Sequence, residues 1–242
     1  MSGHSKWSSI KRKKGANDQK RSQIFTKIAR EITVAARAGG ANRDENSSLR
    51  LAVAKARTAN MPRDNIDRAI ERATSAADAD NWDEVRYEGY GPGGVAILIQ
   101  TLTDNRNRTV GEVRSTLTKA GGNMGDAGSV AWNFSQRGLI TIDIEGGQDP
   151  DEVALEAIEA GAEDVAVDTS LIEVFTVPRD ADKVRQALED SGVSVSAAEV
   201  VWHPGTTIEL DEEKALSLLK LIDSLEDLDD VQTVATNADF PD

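Results

Sequence analysis

A chain of 242 residues with 28 Lys/Arg against 42 Asp/Glu carries a net charge of −14 and is long enough for several small hydrophobic cores. It has no cysteine, which excludes disulfides, thiolate metal sites and a thiol nucleophile. Aromatic residues make up only 4%, so the cores must come mostly from Val, Ile, Leu and Ala.

The charge is divided along the chain. Residues 1–72 hold 17 Lys/Arg and 7 Asp/Glu, a net of +10, while residues 73–242 hold 11 and 35, a net of −24. The opening stretch, residues 5–21, sets Lys6, Lys11, Arg12, Lys13, Lys14, Lys20 and Arg21 against one acid, Asp18, with Trp7 among the cations. It lacks apolar periodicity and reads as a mobile arm. Such an arm is drawn to polyphosphate, while the acidic remainder is repelled by it. An exposed indole there can stack on an unpaired base, a contact contributing about 1–3 kcal/mol.

Helical periodicity begins at Ile24 and runs through Phe25, Ile28, Ile32 and Ala36 to Gly39-Gly40, with Lys27, Arg30 and Arg37 within roughly 80° of arc on the opposite side. Asn46 or Ser47 caps a second helix with Leu49, Val53 and Ala56 inward. Pro62 fits the first turn of a third, striped by Ile66, Ala69, Ile70 and Ala73. These three helices predict a small bundle, closed by a polar linker near residues 73–81.

Beyond the linker the period becomes two. Val85–Tyr90 and Val95–Leu102 flank a Gly-Pro-Gly-Gly turn and predict a hairpin. Thr109 and Glu112 form a capping box that would open a helix ending at Gly121-Gly122, leaving Arg106 and Arg108 in the preceding loop. Ser129–Phe134 reads as a strand. Residues 139–202 then follow the order β-α-β-β-α-β, the ferredoxin-like split pattern. The tail adds a strand near Thr206–Leu210, a helix from Asp211 through Glu226 and a strand at Val231–Thr236. A lone strand-helix-strand cannot bury both faces, so the tail should complete the sheet begun at residue 85. The expected fold is multidomain α+β: a three-helix bundle followed by two small α/β-sandwich domains, one ferredoxin-like. The domains are 1–80, a discontinuous 81–136 with 204–242, and an inserted 137–203.

Candidate chemistry is sparse. Gly89–Gly94 matches Gly-x-Gly-x-x-Gly, but a strand follows where a dinucleotide site needs a helix, so it reads as a hairpin turn. The two histidines, His4 and His203, have no metal-ligand partner at helical spacing. The acidic run Asp223, Glu226, Asp227, Asp229 and Asp230 reads as a solvated helix end. No catalytic residues, cofactor, metal or small-molecule substrate are expected. No apolar run approaches the roughly 20 residues that span a bilayer, and the polar N-terminus does not read as a secretory signal; a cytoplasmic protein is expected. Arg106, Arg108 and Arg114 form a second candidate anion patch, with pairing to local acids such as Asp104 as the competing reading.

Several blocks together resemble the YebC/PmpR family: Gly3-His-Ser-Lys-Trp7, Ile24-Phe-Thr-Lys-Ile28, Arg30–Arg37, Asn60-Met-Pro-Arg-Asp-Asn-Ile66, Tyr87–Gly94, Thr103–Thr109 and Gly121-Gly-Asn123. The resemblance spans most of the chain and implies a three-domain protein with a helical first domain. It implies a DNA-binding transcriptional regulator; a mitochondrial relative is a translational activator, so a ribosome- or RNA-associated translation factor is the alternative. An adaptor whose acidic body binds a basic protein is the third reading. The contacts to nucleic acid would come from Lys6, Trp7, Lys11, Arg12, Lys13, Lys14, Lys20, Arg21, Lys27, Arg30 and Arg37.

Overall fold

The computed structural model describes residues 18–74, 82–144, 149–168 and 171–241. In chain order, the helices α1 (Asp18–Gly39), α2 (Ser47–Thr58) and α3 (Arg63–Thr74) come first. Strands β1 (Asp83–Tyr90) and β2 (Ala96–Thr103), helix α4 (Arg106–Lys119) and the short β3 (Asn123–Met124) follow. Next are β4 (Phe134–Asp143), α5 (Pro150–Ala160), β5 (Asp164–Val167), β6 (Leu171–Thr176), α6 (Ala181–Asp190) and β7 (Val195–Pro204). The chain ends with β8 (Ile208–Glu209), α7 (Glu212–Glu226), β9 (Val231–Thr236) and β10 (Ala238–Asp239). These elements fall into two compact units, Asp18–Ala79 with Gln136–Val201, and Asp80–Ser135 with Trp202–Asp242.

In the first unit the three helices close around Ile28, Ile32, Leu49, Val53, Ala56, Ile66 and Ala69. Helix α1 starts at Asp18, ahead of the first apolar residue of the stripe, because a polar first turn leaves no mark on hydrophobic periodicity. Asn46 works at two helix ends. Its Oδ1 accepts from Leu49 N at 3.0 Å to cap α2, and its Nδ2 donates to Ala35 O and Gly40 O, both at 2.8 Å, at the end of α1. Pro62 lies just before α3 rather than in its first turn, and its carbonyl accepts from Asn65 N and Ile66 N.

The same unit contains a four-stranded sheet in the order β5-β6-β4-β7, the ferredoxin-like arrangement for the sequence β4-α5-β5-β6-α6-β7. Ile140, Ile142, Ile172 and Val174 of the sheet pack against Val153 and Ala157 of α5 and Val184 and Leu188 of α6. Leu51 of α2 joins this core. Arg50 Nε donates to the buried Asp182 Oδ2 at 2.5 Å, and Lys55 Nζ lies 3.6 Å from Glu199 Oε2. The helical bundle is thereby fixed to the sheet part by α2.

The second unit has the sheet order β3-β1-β2-β9. The tail strand β9 pairs with β2 in antiparallel register, Ile99 opposite Val234. One sheet face packs Tyr87, Ile97 and Ile99 against Val113 and Leu117 of α4 and Leu218, Leu221 and Leu225 of α7. Ala96 and Leu98 on the other face meet Val130, Phe134 and Trp202. Strand β8 does not join this sheet; it pairs in parallel with β10. Gly93 and Gly94 have φ of 82° and 77°, the left-handed values that the turn between β1 and β2 requires and glycine adopts without strain.

Two further sequence expectations fail locally. Ser129–Phe134 is not a strand: Ala131–Asn133 forms a 3₁₀ turn, and β4 starts at Phe134. The reason is Glu88, whose carboxylate accepts from Gly128 N, Val130 N and Ala131 N at 2.7–2.8 Å. Donors engaged there cannot enter a ladder. The capping box at Thr109 is also absent. Helix α4 begins at Arg106 behind Asn105, whose Oδ1 accepts from Arg108 N at 3.1 Å. Thr109 is buried instead, its hydroxyl within 2.8 Å of Asp230 Oδ2.

Candidate nucleic-acid interface

Helix α1 turns its apolar stripe inward and so commits the opposite side to its polar residues. Lys27 and Arg30 are half-buried and Arg37 is exposed, and at about 100° per residue the three share one outward arc. After Asp18 the only acid of α1 is Glu31. Glu31 Oε2 meets Lys55 Nζ at 3.0 Å, so the helix's negative charge is directed at α2. Burial opposes protonation of Lys55, but Glu31 and Glu199 outweigh it and hold its pKa above the ordinary lysine value. Arg21 lies over the Phe25 ring at 5.4 Å, a cation–π contact that shields one ring face.

Of the other arm residues, Lys6, Trp7, Lys11, Arg12, Lys13 and Lys14 lie outside the described residues. Lys20 lies on the described backbone of α1, and its side chain is outside the description. Sequence reasoning passed over Arg57, Arg68 and Arg72. They are exposed and have no ion-pair partner among the described residues. Arg68 and Arg72 are four apart on the solvent side of α3, a spacing the sequence already displayed. Basic residues in a last helical turn also complement the helix dipole, as Arg37, Arg57 and Arg72 do.

The second candidate patch is built differently. Arg106 Nε donates to Asp83 Oδ2 at 2.7 Å, and Arg108 Nη2 reaches Asp104 Oδ1 at 2.8 Å and Asp230 Oδ2 at 2.6 Å. Hydrogen bonds and charge from these acids raise both guanidinium pKa values above the usual arginine value. Both groups are thus engaged by carboxylates of their own unit, while Arg114 is exposed further along α4. Asp230 is not part of a solvated helix end: it is 2% exposed and also accepts from Thr103 and Thr109. Burial opposes its ionisation, but hydrogen bonds from Arg108 and Thr109, the Arg108 charge and the Thr103 hydroxyl hold its pKa below the ordinary carboxylate value.

Among the described residues no group of His, Asp and Glu is placed to hold a metal ion. An open cavity of about 400 Å³ beside α4 is lined by Arg108, Glu112, Ser115, Thr116, Lys119 and Leu228, a mixed-charge set without a nucleophile–base pair. No helix among the described residues is long and apolar enough to cross a membrane.

Two family models account for nearly the whole chain. Residues 5–76 match the TACO1/YebC protein N-terminal domain, and residues 82–238 match the TACO1/YebC second and third domain. The chain belongs to the YebC family. A "probable transcriptional regulatory protein" of Chloroflexus aurantiacus is 55% identical over 242 residues, covering 99% of this chain and 96% of that one. A protein of the same name from Moorella thermoacetica is 51% identical and covers 100% of this chain and 96% of its own. The crystal structure of a conserved hypothetical protein from Aquifex aeolicus superposes with a TM-score of 0.85 at 42% identity, covering 93% of each chain. The two share one fold, an α+β architecture with a helical N-terminal region and sheet-containing parts after it.

Proposed function

We propose that this YebC-family protein is a non-enzymatic, cytoplasmic regulator of gene expression that binds DNA through its basic N-terminal arm and first helix. The observation that carries this reading is the division of charge. Seventeen Lys/Arg against 7 Asp/Glu in residues 1–72 give way to 11 against 35 afterwards, and the cations of the arm continue onto α1 at Lys27, Arg30 and Arg37. The names of the relatives, probable transcriptional regulatory proteins, agree with it. Lys6, Lys11, Arg12, Lys13, Lys14, Lys20 and Arg21 would bind phosphates, and Trp7 would stack on an exposed base. Residues 1–80 act as the nucleic-acid domain; the acidic domains, 81–136 with 204–242, and 137–203, repel phosphate.

One feature favours a second reading, binding to folded RNA at the ribosome. Helix α3 follows α2 after a short turn, as a recognition helix would, yet its first turn carries the exposed Asp64, which would meet phosphate charge in a major groove. An arm with a stacking indole suits loops and unpaired bases better. Fluorescence anisotropy with a promoter duplex, a random duplex of equal length and a structured RNA hairpin tests both. The DNA reading requires promoter preference over random duplex, and the RNA reading requires the hairpin to compete best. Equal binding to all three that survives removal of residues 1–21 overturns both.

A further inference from the structure

The segment from Gly138 to Pro178 contains 11 Asp/Glu and no Lys or Arg. Helix α5 lies at its centre and buries Val153 and Ala157 against the ferredoxin-like sheet. At 3.6 residues per turn, Leu155 and Ile158 fall on the side of the helix opposite that buried pair. Both side chains are well exposed, Leu155 at 62% and Ile158 at 56%. Beyond Leu155, the next residues met going round the helix are Glu159, Glu152 and Glu156, all exposed. Val167 of the edge strand β5 is 47% exposed and, by strand alternation, shares the sheet side of Val165, which packs in the core under α5. Two neighbouring apolar side chains therefore lie on the outer face of one helix, with the exposed Asp151 one turn before Leu155 and glutamates along one side. Single exposed leucines are common; two neighbouring apolar side chains within a segment that lacks positive charge are a different arrangement.

We propose that this face of α5 docks a Lys/Arg-rich amphipathic helix of a partner protein. Leu155 and Ile158 would receive the partner's apolar stripe, and Glu152, Glu156 and Glu159 would meet its flanking cations. Charge complementarity selects the occupant. Nucleic acid is repelled by this segment, and a second copy would bring the same glutamates against their own kind. The site is separate from the cationic face of α1, so it does not rest on the nucleic-acid reading.

The test uses the full chain and two synthetic Leu/Lys peptides of identical composition. In one the leucines recur at three- and four-residue spacing; in the other the order is scrambled. Isothermal titration should show tighter binding of the striped peptide. Leu155→Ser/Ile158→Ser should weaken it about tenfold or more, the scale set by removing two buried apolar side chains, while leaving the scrambled peptide unaffected. Glu152→Gln/Glu159→Gln should weaken both peptides and flatten the salt dependence. Both serine positions are exposed, so an unchanged circular dichroism spectrum is expected. Equal binding of the two peptides, indifferent to the serine variant, overturns the proposal by reducing the effect to charge alone. A change in molar mass on light scattering for the serine variant would make a second copy the occupant, and tighter peptide binding after removal of residues 1–21 would make the arm the occupant. Either outcome also overturns it.

Discussion

Arg108 Nη2 donates to Asp230 Oδ2 at 2.6 Å, tying the first turn of α4 to the residue that precedes β9. Sequence distance is large, 122 residues, so the pair holds the tail onto the sheet that β1 and β2 begin. Thr103 and Thr109 complete the carboxylate's shell. Asp230→Asn keeps the shape, removes the charge and presents an amide where an acceptor is needed, at a cost of about 1–3 kcal/mol. Urea unfolding read by tryptophan emission should show it, because Trp82, Trp132 and Trp202 all lie in the second unit. An unchanged midpoint would remove the pair's assigned role.

Acid should loosen the same unit. Burial opposes ionisation of Glu88, yet the N–H groups of Gly128, Val130 and Ala131 and the Arg86 charge hold its pKa below the ordinary value; Asp230 is held low as well. For a carboxyl with a depressed folded pKa, the stabilisation is present above its unfolded pKa, about 4 for Asp and Glu. It is lost as the pH falls through the folded value. Tryptophan-monitored unfolding should therefore weaken progressively below about pH 4, and Glu88→Gln should reduce that dependence. An equal acid response in the variant would assign it to other groups.

Within the first unit, Asp182 is buried and accepts from Arg50 and from Arg185. Asp182→Ala leaves Arg50 without its carboxylate and Arg185 with Glu189 alone, a change that typically costs about 3–5 kcal/mol for a buried pair. Amide exchange should quicken in α2 and α6 while α4 and α7 keep their protection. Uniform quickening throughout the chain would contradict an effect confined to this joint.

Gly122 tests the packing behind β3. A Cβ there would come within 2.4 Å of Tyr90 O, a backbone atom in the strand that pairs with Asn123. Gly122→Ala should destabilise the second unit by about 1–3 kcal/mol, the usual cost of forcing volume into a packed site. Retention of the wild-type urea midpoint would mean that the β1–β3 edge yields freely.

These positions also mark where sequence stopped being informative. Helices α5 and α7 were legible because Asp149 and Asp211 sit one residue before them as caps and because their stripes are regular. The order β-α-β-β-α-β was legible for the same reason. Glu88 and Asp230 were not: each acts on backbone or side chains far along the chain, so the 3₁₀ turn at Ala131–Asn133 and the burial of Thr109 could not be placed from local pattern. Thr109 looked like a cap because Glu112 follows it, but Asn105 was the better cap and Thr109 was needed for Asp230. In the candidate interface, Lys27, Arg30 and Arg37 were readable from helical spacing. The engagement of Glu31 by Lys55 was not, since it joins two helices.

The most direct measurement is the salt dependence of nucleic-acid binding by the full chain, compared with Lys27→Gln/Arg30→Gln/Arg37→Gln and with a chain lacking residues 1–21. Each phosphate that a variant leaves un-neutralised on duplex DNA should lower the slope of log K against log salt by about 0.9. A shallower slope for the triple variant, and a much shallower one for the truncated chain, is expected. Slopes identical across all three proteins would contradict binding through the arm and α1.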